Sequence, residues 1–345
     1  MTETPALPAE TPFRAESAPD PAGLDVLSDV LRVFRTSGAA LLRGEFAEPW
    51  TLDMPHGNDV AALLHSRRSR VVMFHIVAEG GCWVDVGSES RVWLEKGDMI
   101  GFPLGHQHFM GAGEGGRAVR LSSTLPPPPW TGMPIVRLGS GGPLTQMICV
   151  YLHCDKLLFN PILESLPPQI VVRPRKEAGH WIDATLRYII VESLAGSQGS
   201  NGVIARLTEL LFIEILRQHM TELRGDSGWL AALGDRHMAK ALQALHGNPR
   251  HRWTVAELSF HVGMSRSALA ARFHHFLSQA PMSYLAKWRF QLAAQALQSG
   301  DRGIAHVAAE IGYESEEAFS RAFRRHAGVT PTEWRRVTSS ASSEG

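Results

Sequence analysis

Residues 302–336 read RGIAHVAAEIGYESEEAFSRAFRRHAGVTPTEWRR, and this stretch decides how the carboxyl-terminal third folds. Apolar residues fall at Val307 and Ile311, Gly312 interrupts, and Phe319 and Phe323 resume at helical spacing. The spacing predicts a helix, a tight turn and a second helix, then a segment started by Pro331. The same grammar occurs once before. Leu258, Val262 and Gly263 align with Val307, Ile311 and Gly312 at an offset of 49 residues. One extra residue enters the second turn, and Ser265, Leu269, Phe273 and Pro281 then align with Ser315, Phe319, Phe323 and Pro331 at an offset of 50. Tyr284 and Trp334 extend the match. The chain therefore carries two helix-turn-helix units.

In each second helix the stripe of Leu269, Phe273 and Phe276, or of Phe319 and Phe323, must bury against the helix before it. A rotation of about 100° per residue leaves Ser267, Ala270, Ala271 and His274 outward in the first unit. In the second unit it leaves Glu317, Ser320, Arg321 and Arg324 outward. A helix over Ser283–Ser299, opened by Ser283 as N-cap and closed by Gly300, joins the units and spans about 25 Å. It is long enough to hold two reading helices about 34 Å apart, one DNA turn, so one chain addresses two successive major-groove segments.

The chain has 345 residues, 44% hydrophobic and 20% charged, which fits two globular domains. Lysine plus arginine and aspartate plus glutamate both number 34, yet the charge is unevenly placed. From Gly228 to Gly345 there are 14 basic against 9 acidic residues, leaving 20 against 25 in the preceding part. A basic nucleic-acid module behind an acidic sensing module has this distribution. No uncharged apolar run reaches the length of a membrane span, and the acidic, Pro-rich start has no apolar core of a signal peptide. Three cysteines cannot all pair, which suits a reducing, cytoplasmic setting.

Residues 231–340 resemble the AraC/XylS family of bacterial transcription regulators, and the stretch quoted above follows the family signature nearly throughout. In the first unit, Leu258 to Trp288, Ser278 stands where the family has Gly before the Pro loop. The resemblance implies base-edge contacts from Arg266, Ser267, Ala270 and Ala271, and from Glu316, Glu317, Ser320 and Arg321. The first set is poor in hydrogen-bonding groups and suits methyl or shape readout, with Arg266 near phosphate. In the second, Arg321 matches guanine and Glu316 or Glu317 matches cytosine N4. Arg324 and Arg325 are expected to clamp phosphates.

Residues 1–22 lack apolar periodicity and are expected to be a disordered tail. A short amphipathic helix starts at Asp25. Between Gly38 and Cys154 come eight short β-rich runs separated by Gly, Pro, Ser and Asp, as in a sandwich or barrel. The run Gly97-Asp-Met-Ile-Gly-Phe-Pro-Leu-Gly-His-Gln-His matches the second cupin motif. Residues 23–165 therefore look like the cupin-type sensor arm of a subset of these regulators. Residues 166–222 read as a helical hairpin that packs on this domain and contributes to dimer contact. Residues 223–230 read as a linker and 341–345 as a tail. The expected fold class is α+β in two domains: a cupin-like β-barrel with a helical hairpin, then an all-α double helix-turn-helix.

In cupin enzymes the position of His108 is a metal ligand, but the first-motif ligand positions fall here on Ser66, Arg68 and Met73, and Ala112 replaces the usual Asn. The enzyme metal site is not carried over. A different zinc site from His75, His108, Cys149 and Cys154 is weighed against plain core packing of the same residues. Cys149 and Cys154 point to opposite faces of a regular strand, although a bulge or the strand's end would let both converge. His75, Trp83, Phe102 and His108 are the candidates for holding a small-molecule effector. Expected partners are double-stranded DNA, that effector, a second copy of the chain and RNA polymerase, with no membrane. Two rival readings stay open on the sequence: a metal-dependent cupin enzyme fused to a DNA-binding domain, and a constitutive DNA binder whose barrel only dimerises.

Overall fold

The computed structural model describes residues 24–34, 36–63, 69–87, 91–126, 130, 133–155, 157–173, 176–195, 197–223, 227–300 and 302–342. The tail at 1–22 lies outside the described residues, as do Ser66, Arg68, 224–226 of the linker and 343–345.

The amino-terminal part begins with helix α1 (Val26–Val33), capped by Asp25, whose side chain accepts from the Ser28 amide. Then follow β1 (Thr36–Ala47), β2 (Trp50–Met54), α2 (Gly57–Leu63), β3 (Ser69–Glu79), β4 (Gly81–Asp85), β5 (Val92–Glu95) and β6 (Met99–Phe102). Next come β7 (His108–Ala112), β8 (Ala118–Arg120), β9 (Ile135–Leu138), β10 (Leu144–Asp155), α3 (Pro161–Ser165) and β11 (Ile170–Val172). The helical hairpin is α4 (Lys176–Ala195) and α5 (Ser200–Glu222). The strands form two facing sheets, ordered β11-β6-β3-β10-β1-β9 and β5-β4-β7-β2-β8.

Strand alternation sorts the residues between two cores. Val71, Met73 and Val77 of β3, with Met147, Cys149 and Tyr151 of β10, fill the space between the sheets. Val72, Phe74 and Ile76, with Ile148, Val150, Leu152 and Cys154, face the other way, onto the helices. The hairpin covers that outer face through Ile182, Leu186 and Ile189 of α4 and Leu211, Phe212, Ile215 and Leu216 of α5. Strands β2, β7 and β11 were not among the eight β-rich runs read from the sequence. β2 alternates inward Trp50, Leu52 and Met54 with Thr51 and Asp53, but it is only five residues long and follows Pro49.

The carboxyl-terminal part contains α6 (Trp229–Gly234), α7 (Arg236–Gly247), α8 (Val255–Val262), α9 (Arg266–Leu277), α10 (Pro281–Gln298), α11 (Ile304–Glu310), α12 (Glu316–Ala327) and α13 (Pro331–Ser342). α6 starts inside the stretch expected to be linker, because Trp229 and Leu230 are apolar and bury fully in the shared core. The connecting helix α10 also starts two residues earlier than expected. Ala280 occupies the N-cap position and Pro281, with its preset φ, begins the helix, leaving Ser283 in the first turn rather than as the cap.

The core on the outer face of the six-stranded sheet runs without a break into the first helix-turn-helix unit, through Trp229, Met238, Leu245, Leu269, Phe273 and Trp288. The second unit has a small core of its own, built on Phe290, Leu297, Val307, Ile311, Phe319 and Phe323.

Candidate nucleic-acid interface

The two reading helices are built alike because the two sequences are alike. Ser265 caps α9 by accepting from the Ala268 amide at 3.2 Å, and Ser315 caps α12 by accepting from Ala318 at 3.1 Å. The preceding turns use Gly263 at φ 72° and Gly312 at φ 87°, a left-handed backbone that a side chain would strain. Leu269 and Phe273 in α9, and Phe319 and Phe323 in α12, are buried as their spacing requires.

The opposite faces are open. Arg266, Ser267, Ala271 and His274 on α9 are exposed, with Ala270 half-buried. Glu316, Glu317, Arg321, Arg324 and Arg325 on α12 are exposed, with Ser320 half-buried. The structure thus brings every expected reader onto the outer faces of the two second helices.

Several arginines outside the reader set are paired with carboxylates. Arg272 pairs with Asp235, Arg250 with Glu310 at 2.9 Å, Arg252 with Glu314 at 2.6 Å and Arg302 with Glu310 at 2.6 Å. Arg266, Arg321, Arg324 and Arg325 form no salt bridge with any described residue, so their charge is available to a polyanion. Arg289 donates to the carbonyls of Pro249 at 2.6 Å and His251 at 2.8 Å, tying α10 to the loop before α8.

In the sensing half, His75 and His108 meet between the sheets with their Nε2 atoms 2.9 Å apart. The His108 Nδ1–H donates to the His106 carbonyl at 2.9 Å. Its Nε2 is therefore the acceptor, His75 donates from Nε2–H, and His75 Nδ1 is left as a buried atom without a partner. Burial holds His75 well below the ordinary histidine range, with repulsion from His108 adding to it, and pushes His108 down to about 4. Phe102 stacks on the His108 ring at 3.7 Å.

The four residues expected to hold an effector do not surround one volume. His75, Phe102 and His108 pack against one another inside. Trp83 is on the outer face of its sheet, with the Arg91 guanidinium 4.0 Å above its ring. There it lines a groove of about 420 Å³ with Asp85 and Phe109. β4 buries Cys82 and Val84, so Trp83 between them must point outward.

The residues weighed for zinc do not fit it. Cys149 sits between the sheets and Cys154 in the helix-facing core, so they cannot share an ion. The two imidazoles are already bonded to each other. Among the described residues no group of three or more His, Cys, Asp and Glu side chains is placed to hold a metal. Of the enzyme ligand positions, Met73 is an apolar core residue.

Residues 25–221 match the Cupin family and residues 258–337 match a helix-turn-helix domain family. A putative AraC-like transcription regulator of Streptomyces antibioticus is 31% identical over 328 residues, 91% of this chain and 99% of that protein. The chain belongs to the AraC-like transcription regulators. The regulator AlkR of Acinetobacter baylyi is 27% identical to this AraC-like chain over 79% of it and 90% of AlkR. A transcriptional regulator structure from Chromobacterium violaceum, with an AraC-type DNA-binding domain, shares 27% identity over 29% of this chain and 89% of its own, with a TM-score of 0.28. Relatives that align along the length of the chain are regulators, so this AraC-like protein is a DNA-binding regulator and not a cupin enzyme. No helix among the described residues is long and apolar enough to cross a membrane.

Sequence reasoning did not find the residues that join the two halves of this AraC-like chain. Leu158 and Phe159, just after β10, wedge against α10. Leu158 touches the core of the second unit, and Phe159 stacks edge-on to Tyr284 at 5.5 Å. The Phe159 amide donates to Gln291 Oε1 at 3.1 Å, and Gln295 donates to the Val33 carbonyl at 3.0 Å. A buried relay reaches α1: Trp229 Nε1–H donates to the Tyr284 hydroxyl at 2.7 Å and Tyr284 donates to His246 Nε2 at 2.8 Å. His246 Nδ1–H in turn donates to Asp29 at 2.9 Å. The partners are up to 262 residues apart. Only the recurrence of Tyr284 as Trp334 marked any of them in the sequence.

Proposed function

We propose that the chain is a cytoplasmic, dimeric, sequence-specific regulator whose two reading helices occupy adjacent major-groove segments, and whose sensing half adjusts them in response to a small effector. The observation that carries it is the pair of exposed, identically capped helices whose Arg266, Arg321, Arg324 and Arg325 form no salt bridge, while Arg272 and Arg302 pair with Asp235 and Glu310. α10, at 18 residues, spans about 27 Å, a length that suits readers about one DNA turn apart. Ser267, Ala270, Ala271 and His274 read shape and methyl groups with Arg266 on phosphate. Arg321 reads guanine, Glu316 or Glu317 reads cytosine with Ser320 beside them, and Arg324 and Arg325 hold phosphates.

Arg321→Ala is expected to weaken binding to the operator by ~10- to 100-fold and to relax preference at one base position, while Arg324→Ala weakens all sequences alike. Fluorescence anisotropy on operator and scrambled duplexes at two salt concentrations reads both effects. An unchanged ratio between operator and scrambled DNA in Arg321→Ala would remove Arg321 from the readers.

A second copy of the chain suits the hairpin's outer stripe. Trp181, Tyr188 and Val191 of α4, with Val203 and Leu210 of α5, are apolar and exposed, Tyr188 by 52% and Val191 by 64%. The double change Tyr188→Glu and Leu210→Glu should raise the dimer dissociation constant by ~30-fold or more, measured by sedimentation velocity. A dimer of unaltered strength would place the contact elsewhere.

A further inference from the structure

The outer face of the five-stranded sheet, on the far side of the sandwich from the helical hairpin, carries a groove of about 420 Å³ between β4, β7 and the loop that follows β7. Its volume is that of a small-molecule site. Its lining is open to solvent: Phe109, Arg91 and Glu114 are exposed, and Trp83 and Asp85 half-buried.

Two glycines shape the floor. A Cβ at Gly111 would come within 2.4 Å of the Trp83 ring, so the indole lies down across β7 because that strand has no side chain there. Trp93, the cross-strand partner of Trp83, lies likewise over Gly81, where a Cβ would come within 3.0 Å of its ring. Glycine inside a strand weakens it and marks a place where something approaches closely. The result is an aromatic surface left to solvent, with Trp93 49% and Phe109 37% exposed.

The chain itself shows what this floor accepts. The Arg91 guanidinium sits 4.0 Å above the Trp83 ring, a cation on a π face. Its hold is slight: the contact with Asp85 is 3.4 Å long, at the limit of a hydrogen bond, and the side chain is 60% exposed. Among the described residues Arg91 is the one cation lining the groove, against Asp85 and Glu114. A third carboxylate, Glu48, reaches the rim, its Oε2 3.2 Å from where a Cβ on Gly113 would be. Glu48 and Glu114 form no salt bridge with any described residue. The groove thus holds an excess of negative charge beside an aromatic face that a tethered guanidinium covers loosely. We infer that it binds a small organic cation, an alkylguanidinium or alkylammonium, whose head takes the Trp83 face from Arg91 with Asp85 and Glu114 beside it, and whose alkyl body lies on Phe109. A neutral polyol would gain nothing from the carboxylate excess, and an anion would be repelled by it. The inference extends the effector reading, since Trp83 is one of the side chains expected to hold an effector, and it moves that site from the core to the outer face of the sheet.

Calorimetric titration of the DNA-free full-length chain tests it, with butylguanidinium and choline as probes, butylurea as the neutral isostere of the first and pentanoate as the anionic control. One of the two cations should bind saturably, and about tenfold or more tighter than butylurea or pentanoate. Trp83→Leu should weaken it by about tenfold, and Asp85→Asn by ~5-fold, asparagine keeping the acceptor for the Gly87 amide. Arg91→Ala should tighten binding by ~3- to 10-fold, because it clears the ring. A variant that merely damaged the fold would not bind better. No saturable heat from either cation, equal affinity for butylurea, or an Arg91→Ala variant that binds no tighter would each overturn the groove as a cation site. Because no DNA is present, such a failure leaves the Arg321 test of the DNA reading untouched.

Discussion

Acidification from pH 6.5 to pH 4 will lower the unfolding free energy of the sensing half by about 3 kcal/mol through His108 alone. In the folded chain His108 Nε2 accepts a hydrogen bond from His75 across 2.9 Å, so protonating it would set two N–H groups against each other in a buried core. Burial pushes its pKa down to about 4 from 6.5. The unfolded chain therefore binds more protons than the folded one between those values. Stability is full above pH 6.5, falls as pH drops through that window and is lost below about 4. His75, His153, His246 and His326 are lowered by burial as well and add in the same direction. Urea midpoints followed by near-ultraviolet circular dichroism across this range would show the slope. His108→Asn should flatten it; an equal slope in the variant and the parent would show that this imidazole pair does not stay neutral.

Phe323→Ala should cost about 3–5 kcal/mol, the range for removing a buried aromatic ring. Phe323 is fully buried and its ring lies 5.4 Å from Phe319, 6.1 Å from Phe290 and 6.1 Å from Trp334. Those neighbours make up much of a core separate from the large one that joins the sensor to the first unit. The damage is therefore expected to stay local: α11 to α13 open while α7 to α9 and the sheets hold. Amide hydrogen exchange would show protection lost over 304–342 and retained over 229–277, and operator affinity would fall to that of one reader. Uniform loss of protection along the chain would mean that the two cores fold as one.

The carboxyl-terminal half was legible because its signals are local. A glycine at each turn, an apolar pair four residues apart and a serine before each second helix fix which face is buried, and the repeat states each twice. In the sheets, alternation alone separates Cys149 from Cys154 and turns His75 inward. The same rule applied to Cys82, Trp83 and Val84 sends Trp83 outward, so its assignment to an interior site set function ahead of parity. Strand order was not legible. β1 pairs with β10 from the far end of the domain and with β9 in parallel, and neither pairing has a short-range signature. The domain boundary was least legible of all, since Asp29 meets His246, and Phe159 meets Gln291, only after both halves have folded.

The braces across the two units have a bearing on promoters. Arg250 and Arg252 reach Glu310 and Glu314, and Arg289 binds two carbonyls of the loop that leads into α8. The ion pairs are solvent-facing and individually weak, but together with the half-buried Arg289 they set the pitch between α9 and α12 before any duplex arrives. Inserting a single base pair between the half-sites turns the far groove by roughly 35° about the helix axis. A protein whose twin probes are locked in phase cannot follow that turn. Mutational drift at its target promoters is thereby constrained in length as well as in lettering, and spacer insertions should be purged from them more strictly than point changes within the spacer.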